Sequence, residues 1–215
     1  MIGVGLGLSN LIPAKLSGIM NDGYQIFIEF PGNKDSKKDT YCLLQANTIL
    51  TAEDTTRALP EPLRVRILSL DGSDLSSTAI VNLLLFKIAI LQEEGKYDDI
   101  VTLCQQIVNS PDTLAIFKNE ASCELLYYEI MGDCNPDRID VLYNKNLQKY
   151  IKATALYPSR KRLMYAYYLL YKRDENKARQ EYQALIKASQ THPSRTEAAI
   201  ELLEANRIRA AWSVL

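Results

Sequence analysis

The chain has 215 residues, 47% hydrophobic and 24% charged, with 25 basic against 26 acidic side chains. That composition is ordinary for a chain that buries a core, and the near-zero net charge supplies no basic field of the kind that holds nucleic acid, so no nucleic-acid partner is expected. Four cysteines, at 42, 104, 123 and 134, form no CxxC pair and stand near no histidine; they are expected as small buried hydrophobes in a reducing compartment, not as zinc ligands.

In chain order, the first thirty residues are apolar and glycine-rich, with only Lys15, Asp22 and Glu29 charged. Their opening "MIGVGLGL" is eight residues long, far short of the ~20 that a membrane-spanning helix needs, and no basic leader or small-residue cleavage site marks a signal peptide. "PGNKDSKKD" at 31–39 reads as a polar, turn-forming linker. Over residues 37–53, Leu43, Leu44, Ala46, Ile49 and Leu50 recur at helical spacing. Pro60 and Pro62 then break the pattern, and Ser76 or Ser77 offers an N-cap for the next helix.

From 77 onward the pattern becomes helix, turn, helix. "STAIVNLLLFKIAILQEEGKYDDIVTLCQQIVNSP" predicts two amphipathic helices joined at Gly95 and ended by Pro111. The apolar run at 79–91 is interrupted by Asn82 and Lys87, which makes it a buried core helix, not a membrane span. Gly95, Tyr97, Ile100, Cys104 and Ile107 occupy places where a tetratricopeptide-like hairpin has its turn glycine and second-helix contacts. A related unit runs through "LMYAYYLLYKRDENKARQEYQALIKASQTHP", with Ala178, Tyr182 and Leu185 on the second helix. Between them, 119–158 predicts a looser pair turning at "GDCNPD", and a final helix at about 194–211 is expected as a cap. Helical pairs cannot bury their apolar faces alone, so stacked units share a core. The fold class expected is all-α: irregular helical-hairpin repeats preceded by a short, broken apolar segment. The organisation expected is 1–30, then 31–76 as linker and one helix, then 77–215 as the helical-repeat domain.

Candidate chemistry is sparse. The one histidine, His192, precedes Pro193 at a predicted helix end and is expected to be solvent-exposed. "GVGLG" lacks the third glycine and preceding strand of a dinucleotide fingerprint. Tyr165, Tyr167, Tyr168 and Tyr171 share one helix and are expected to pack the core, with a peptide-binding groove as the other reading. "KRDENKAR" at 172–179 reads as a turn and a solvated helix start.

Asp22 is the remaining group. "NDG" alone is a surface turn, but here it follows the apolar "NLIPAKLSGIM". A carboxylate in apolar sequence at membrane depth is costly and tends to be functional, and broken backbone there is tolerated where it lines a protein cavity. "NLIP" followed by "NDG" resembles the second motif of site-2-type zinc intramembrane proteases, in which an Asn and a Pro precede an Asp-Gly pair and the Asp is a ligand of the catalytic zinc. Asn10, Pro13, Asp22 and Gly23 stand in those places, with a wider gap between Pro13 and Asp22 than in the short form of the motif. "DGYQIF", then "YCLLQANTILTAEDTTRALPEPL", is similar to a bacterial variant in which a "DGY" is followed by a linker, a helix and an "LPE" segment, with a helical C-terminal region.

The resemblance implies that Asp22 serves as third zinc ligand beside a loop shaped by Asn10 and Pro13, with the helical domain on the cytosolic side of a membrane. The family's HExxH motif does not occur in this sequence. A catalytic zinc needs about three protein ligands and an open water position, so the chain alone is expected neither to bind zinc nor to hydrolyse peptides. The expected partners are an N-terminal protease half and a protein or peptide on the helical repeats. The alternative is a soluble, cytoplasmic tetratricopeptide-like scaffold with no catalytic role.

Overall fold

A computed structural model of the chain describes residues 15–16, 19–20, 34–72, 75 and 77–214. Two short strands, β1 (Lys15–Leu16) and β2 (Ile19–Met20), pair antiparallel with Lys15 opposite Met20 and Leu16 opposite Ile19. Every other regular element described is helical, so the fold is all-α.

Helix α1 (Lys34–Ala52) begins inside the stretch expected as a linker. Lys37 and Lys38 are exposed, and Asp39, 3% exposed, is held by Arg66 at 2.8 Å. Ala46 and Leu50 face the core, whereas Leu44 is 58% exposed: Leu43 and Leu44 are adjacent on a 3.6-residue spiral and cannot share one face. A single 3-10 turn (Thr56–Ala58) follows, pinned because the Glu93 carboxylate accepts from Thr56 N (2.8 Å), Thr56 Oγ1 (2.5 Å) and Thr55 Oγ1. Burial opposes its charge, yet these hydrogen bonds keep Glu93 below the usual carboxylate range.

The two prolines expected to break helical pattern instead open helix α2 (Glu61–Ser69). Pro60 stands at its N-cap and Pro62 in its first turn, where no intrahelical N–H bond is forfeited. Ser77 caps α3 (Thr78–Glu94), and Gly95 ends it at φ 73 with its own N–H and that of Lys96 returned to Gln92 O and Leu91 O. Lys87 does not break the apolar run of α3, because its Nζ donates to Leu68 O (2.8 Å) and Leu70 O (2.6 Å) at the end of α2. Helix α4 (Tyr97–Asn109) buries Ile100, Leu103, Cys104 and Ile107 and packs on α5 (Ala115–Met131).

The looser pair is in fact α5 followed by two short helices, α6 (Pro136–Leu142) and α7 (Lys145–Ala153). Asn135 and Asn144 cap them, each Oδ1 accepting two backbone N–H groups. Pro158 opens α8 (Pro158–Ala166), which runs into a π-type turn (Tyr167–Tyr171) closed by Lys172 N to Tyr167 O at 2.9 Å. Arg173 (φ 56) reverses the chain at the turn the sequence anticipated, and Asp174 caps α9 (Glu175–Thr191). Of the four tyrosines expected on one helix, Tyr165 on α8 and Tyr167 in the π-type turn are buried, and Tyr167 packs against Tyr143, Tyr168 and Tyr171.

The last helix, α10 (Arg195–Val214), is not a cap. It packs on α8 and α9 and also reaches back to α1 and α3. Ser194 Oγ donates to Leu50 O (3.0 Å), Thr196 Oγ1 donates to Glu53 O (2.5 Å), and Arg195 grips Asp54 with two bonds of 2.9 Å. A repeat array that stacks only neighbours would leave one long face of its last helix wet; here Ile200, Glu201, Glu204, Ala205 and Ile208 are all buried, and the core is continuous from Ala46 to Ile208. Truncating Ile208 to alanine is therefore expected to cost about 2–5 kcal/mol, read by chemical denaturation. A loss well under 1 kcal/mol would return α10 to the role of a peripheral cap.

Candidate functional site

Asn10, Pro13, Asp22 and Gly23 lie outside the described residues. His192 is described, and its side chain is only 10% exposed, not free in solvent. Its Nδ1 lies 3.2 Å from both Ser194 N and Ser194 O, and its Nε2 is 3.7 Å from Glu197; the turn into α10 folds over the ring. The four cysteines are free thiols. Cys104 and Cys123 are buried in the core as expected, whereas Cys42 and Cys134 are only partly buried; burial pushes the Cys104 and Cys123 thiols up, Cys123 to about 12, which makes them poor nucleophiles. Among the described residues no group of His, Cys, Asp and Glu could hold a metal ion, and no helix is long and apolar enough to cross a membrane.

Two constellations come together that linear spacing did not single out. The first lies at the centre of the bundle. Arg162 on α8 is wholly buried between Glu124 of α5 (Nη2 to Oε1, 2.5 Å) and Glu201 of α10 (Nε to Oε2, 2.7 Å). The latter is an ion pair without an aligned hydrogen bond, since neither Nε nor Oε2 has a hydrogen-bond partner. The guanidinium stacks 3.9 Å from the centre of the Tyr127 ring, Gln92 donates to the other oxygen of Glu124 (3.1 Å), and Tyr127 donates to Glu204 (2.8 Å). Glu204 also pairs with Arg207, and beside this set Arg160 and Tyr150 share Glu120. A cavity of ≈ 230 Å³ opens against Glu120, Glu124, Glu197 and Glu201, with Leu85 and Ile200 on its apolar wall.

The chemistry of this centre is that of charge balance. Burial is the largest influence on Glu201 and pushes its carboxyl up to about 8; Arg162 opposes this, while Glu124, Glu197 and Glu204 reinforce it. Around Arg162 and Arg207 stand three carboxylates, so one proton held on Glu201 brings the set close to neutral. Each acid here is committed to a partner within the fold, which makes this a structural centre. Its sequence trace is faint but real: Glu120 and Glu124, and likewise Glu197 and Glu201, stand at i, i+4 on one helix face.

The second constellation faces outward. A cleft of ≈ 490 Å³ between α7 and α8 is lined by Lys145, Lys149, Lys152 and Lys161, with Tyr143 and Met164 as apolar wall. The first three lysines stand at i, i+4 and i+7, hence on one face of α7. All three are exposed, and none has a hydrogen-bond or ion-pair partner among the described residues. Glu181, the acid of the cleft, is neutralised by Lys161 at 3.1 Å. Just past the cleft Leu156 is 90% and Tyr157 50% exposed.

Fold and site together define an all-α, helical-hairpin protein with a buried ionic centre and an open basic cleft. Comparison with protein-family models, with curated proteins and with solved structures gives no match.

Proposed function

We propose that the helical domain is a partner-binding module and that the segment carrying Asn10, Pro13, Asp22 and Gly23 is the metal-ligand motif of a site-2-type metalloprotease-like protein, membrane-associated with its helical domain on the cytoplasmic side. The binding role is carried by the α7–α8 cleft: three charged side chains in solvent without partners among the described residues, next to an exposed leucine and tyrosine, are groups that internal stability does not account for. Lys145 even sits in the first turn of α7, where the helix dipole disfavours a cation.

The protease ancestry is supported by the four-residue motif. The described residues do not fit a zinc site, so no hydrolytic step is derived for this chain. Zinc chemistry would require an HExxH half to supply two histidines and a general base beside Asp22. Co-expression with such a half, followed by a peptide-cleavage assay, tests this. Asp22→Ala is expected to abolish cleavage while circular dichroism of the helical domain stays unchanged; normal turnover would remove Asp22 from the metal site.

A second reading is a cytoplasmic scaffold with no catalytic role. It is favoured by the closure of α10 onto α1, which joins the last helix to the first helix described in one core.

A further inference from the structure

We infer that the α7–α8 cleft is a docking site for an acidic, amphipathic segment of a partner protein, an assignment that rests on reading the helical domain as a partner-binding module. Lys145, Lys149 and Lys152 form a straight row of cations along one helix face, roughly 10 Å from first to last at 1.5 Å rise per residue. Carboxylates at i, i+4 and i+7 of a bound helix repeat at the same interval, so two such rows placed side by side pair charge for charge. Opposite the row, Lys161 is already matched by Glu181, which closes that wall to a further strong anion while leaving its apolar neighbour Met164 available. Tyr143 adds apolar surface at the start of the row, and Leu156 and Tyr157 extend it past the rim. A segment that fits must therefore bring acids and hydrophobic side chains in the same turn of helix. A bare polyanion meets only the cationic half of these groups.

The test uses the whole chain and a short fluorescein-labelled helical peptide with Glu at i, i+4 and i+7 and Leu and Phe between them, followed by fluorescence anisotropy. Binding is expected, weakening as salt rises. The triple variant Lys145→Glu, Lys149→Glu, Lys152→Glu is expected to bind at least about tenfold more weakly, with unchanged circular dichroism because all three side chains are exposed. Lys187→Glu, on an exposed position of α9, is expected to leave affinity unchanged. Equal binding of a peptide with Gln in place of Glu, retained by the triple variant, overturns the acidic assignment and leaves the partner-binding reading standing. Stronger binding of a single-stranded oligonucleotide at the same lysines overturns it in favour of nucleic acid. Failure of both peptides to bind overturns the assignment and removes the support for the partner-binding reading with it.

Discussion

Arg162→Leu is expected to lose about 3–5 kcal/mol of unfolding free energy, a large share of the roughly 5–15 kcal/mol that holds a domain of this kind together. The guanidinium is wholly buried, and two carboxylates, Glu124 and Glu201, lean on it from α5 and α10. Its removal strands the Glu124 carboxylate, beside a Glu201 that holds its own proton at neutral pH, with no cation to offset it. The loss therefore measures stranded charge more than the net worth of the ion pairs, which desolvation largely offsets. A compensated variant, Arg162→Met with Glu124→Gln and Glu201→Gln, is expected to recover most of the stability, because no uncompensated charge remains. Urea denaturation of the two proteins decides the matter. A single substitution costing under about 1 kcal/mol would mean that the centre is solvated and that the helices do not depend on it.

The second large effect is on pH. Glu201 has a folded-state value of about 8 against an ordinary 4.5, raised first by burial and then by Glu124, Glu197 and Glu204, with Arg162 pulling the other way. Between those two values the folded protein holds a proton that the unfolded chain has released. Stability supplied by that proton is fully present below about 4.5 and is lost as pH rises toward 8, at no more than about 1.4 kcal/mol per pH unit for one group. Glu201→Gln carries the neutral form permanently. Its stability is expected to vary less with pH across this range and to exceed that of the wild type at the alkaline end. The groups packed around the site are Arg162 from α8, Glu124 and Tyr127 from α5, Gln92 from α3, and Glu197 and Glu204 from α10 itself. Parallel denaturation series at several pH values test the assignment; identical slopes for the two proteins would place the proton elsewhere. Glu93 and Glu94 do not blur the reading, because both are held below their ordinary values, and what they contribute is lost only in more acidic solution.

These two expectations show how unevenly the molecule could be read from its residues. The hairpin at Gly95 was legible, because a glycine after an apolar period specifies a left-handed stop with no help from the rest of the chain. So were the helices with a strong one-sided pattern, such as α4, and the turn before α9. Helix α2 was not, because prolines that terminate one helix are equally good at starting another, and only the chain geometry tells which. The lysine row of α7 was present in the letters, yet its lack of partners among the described residues became visible only once the neighbouring helices were placed.

By itself, the sequence determined the all-α class, the Ser77 cap, the Gly95 turn and the buried state of Cys104 and Cys123, since each follows from composition or from periods of a few residues. Only the tertiary structure decided that α10 closes onto α1, that Arg162 meets Glu124 and Glu201, and that His192 is covered. These contacts join residues tens to more than a hundred positions apart, and a helical period says which face is apolar but not which distant helix will cover it. A charged residue on a helix looks solvated in one dimension; whether it is buried depends on a partner that local pattern cannot see.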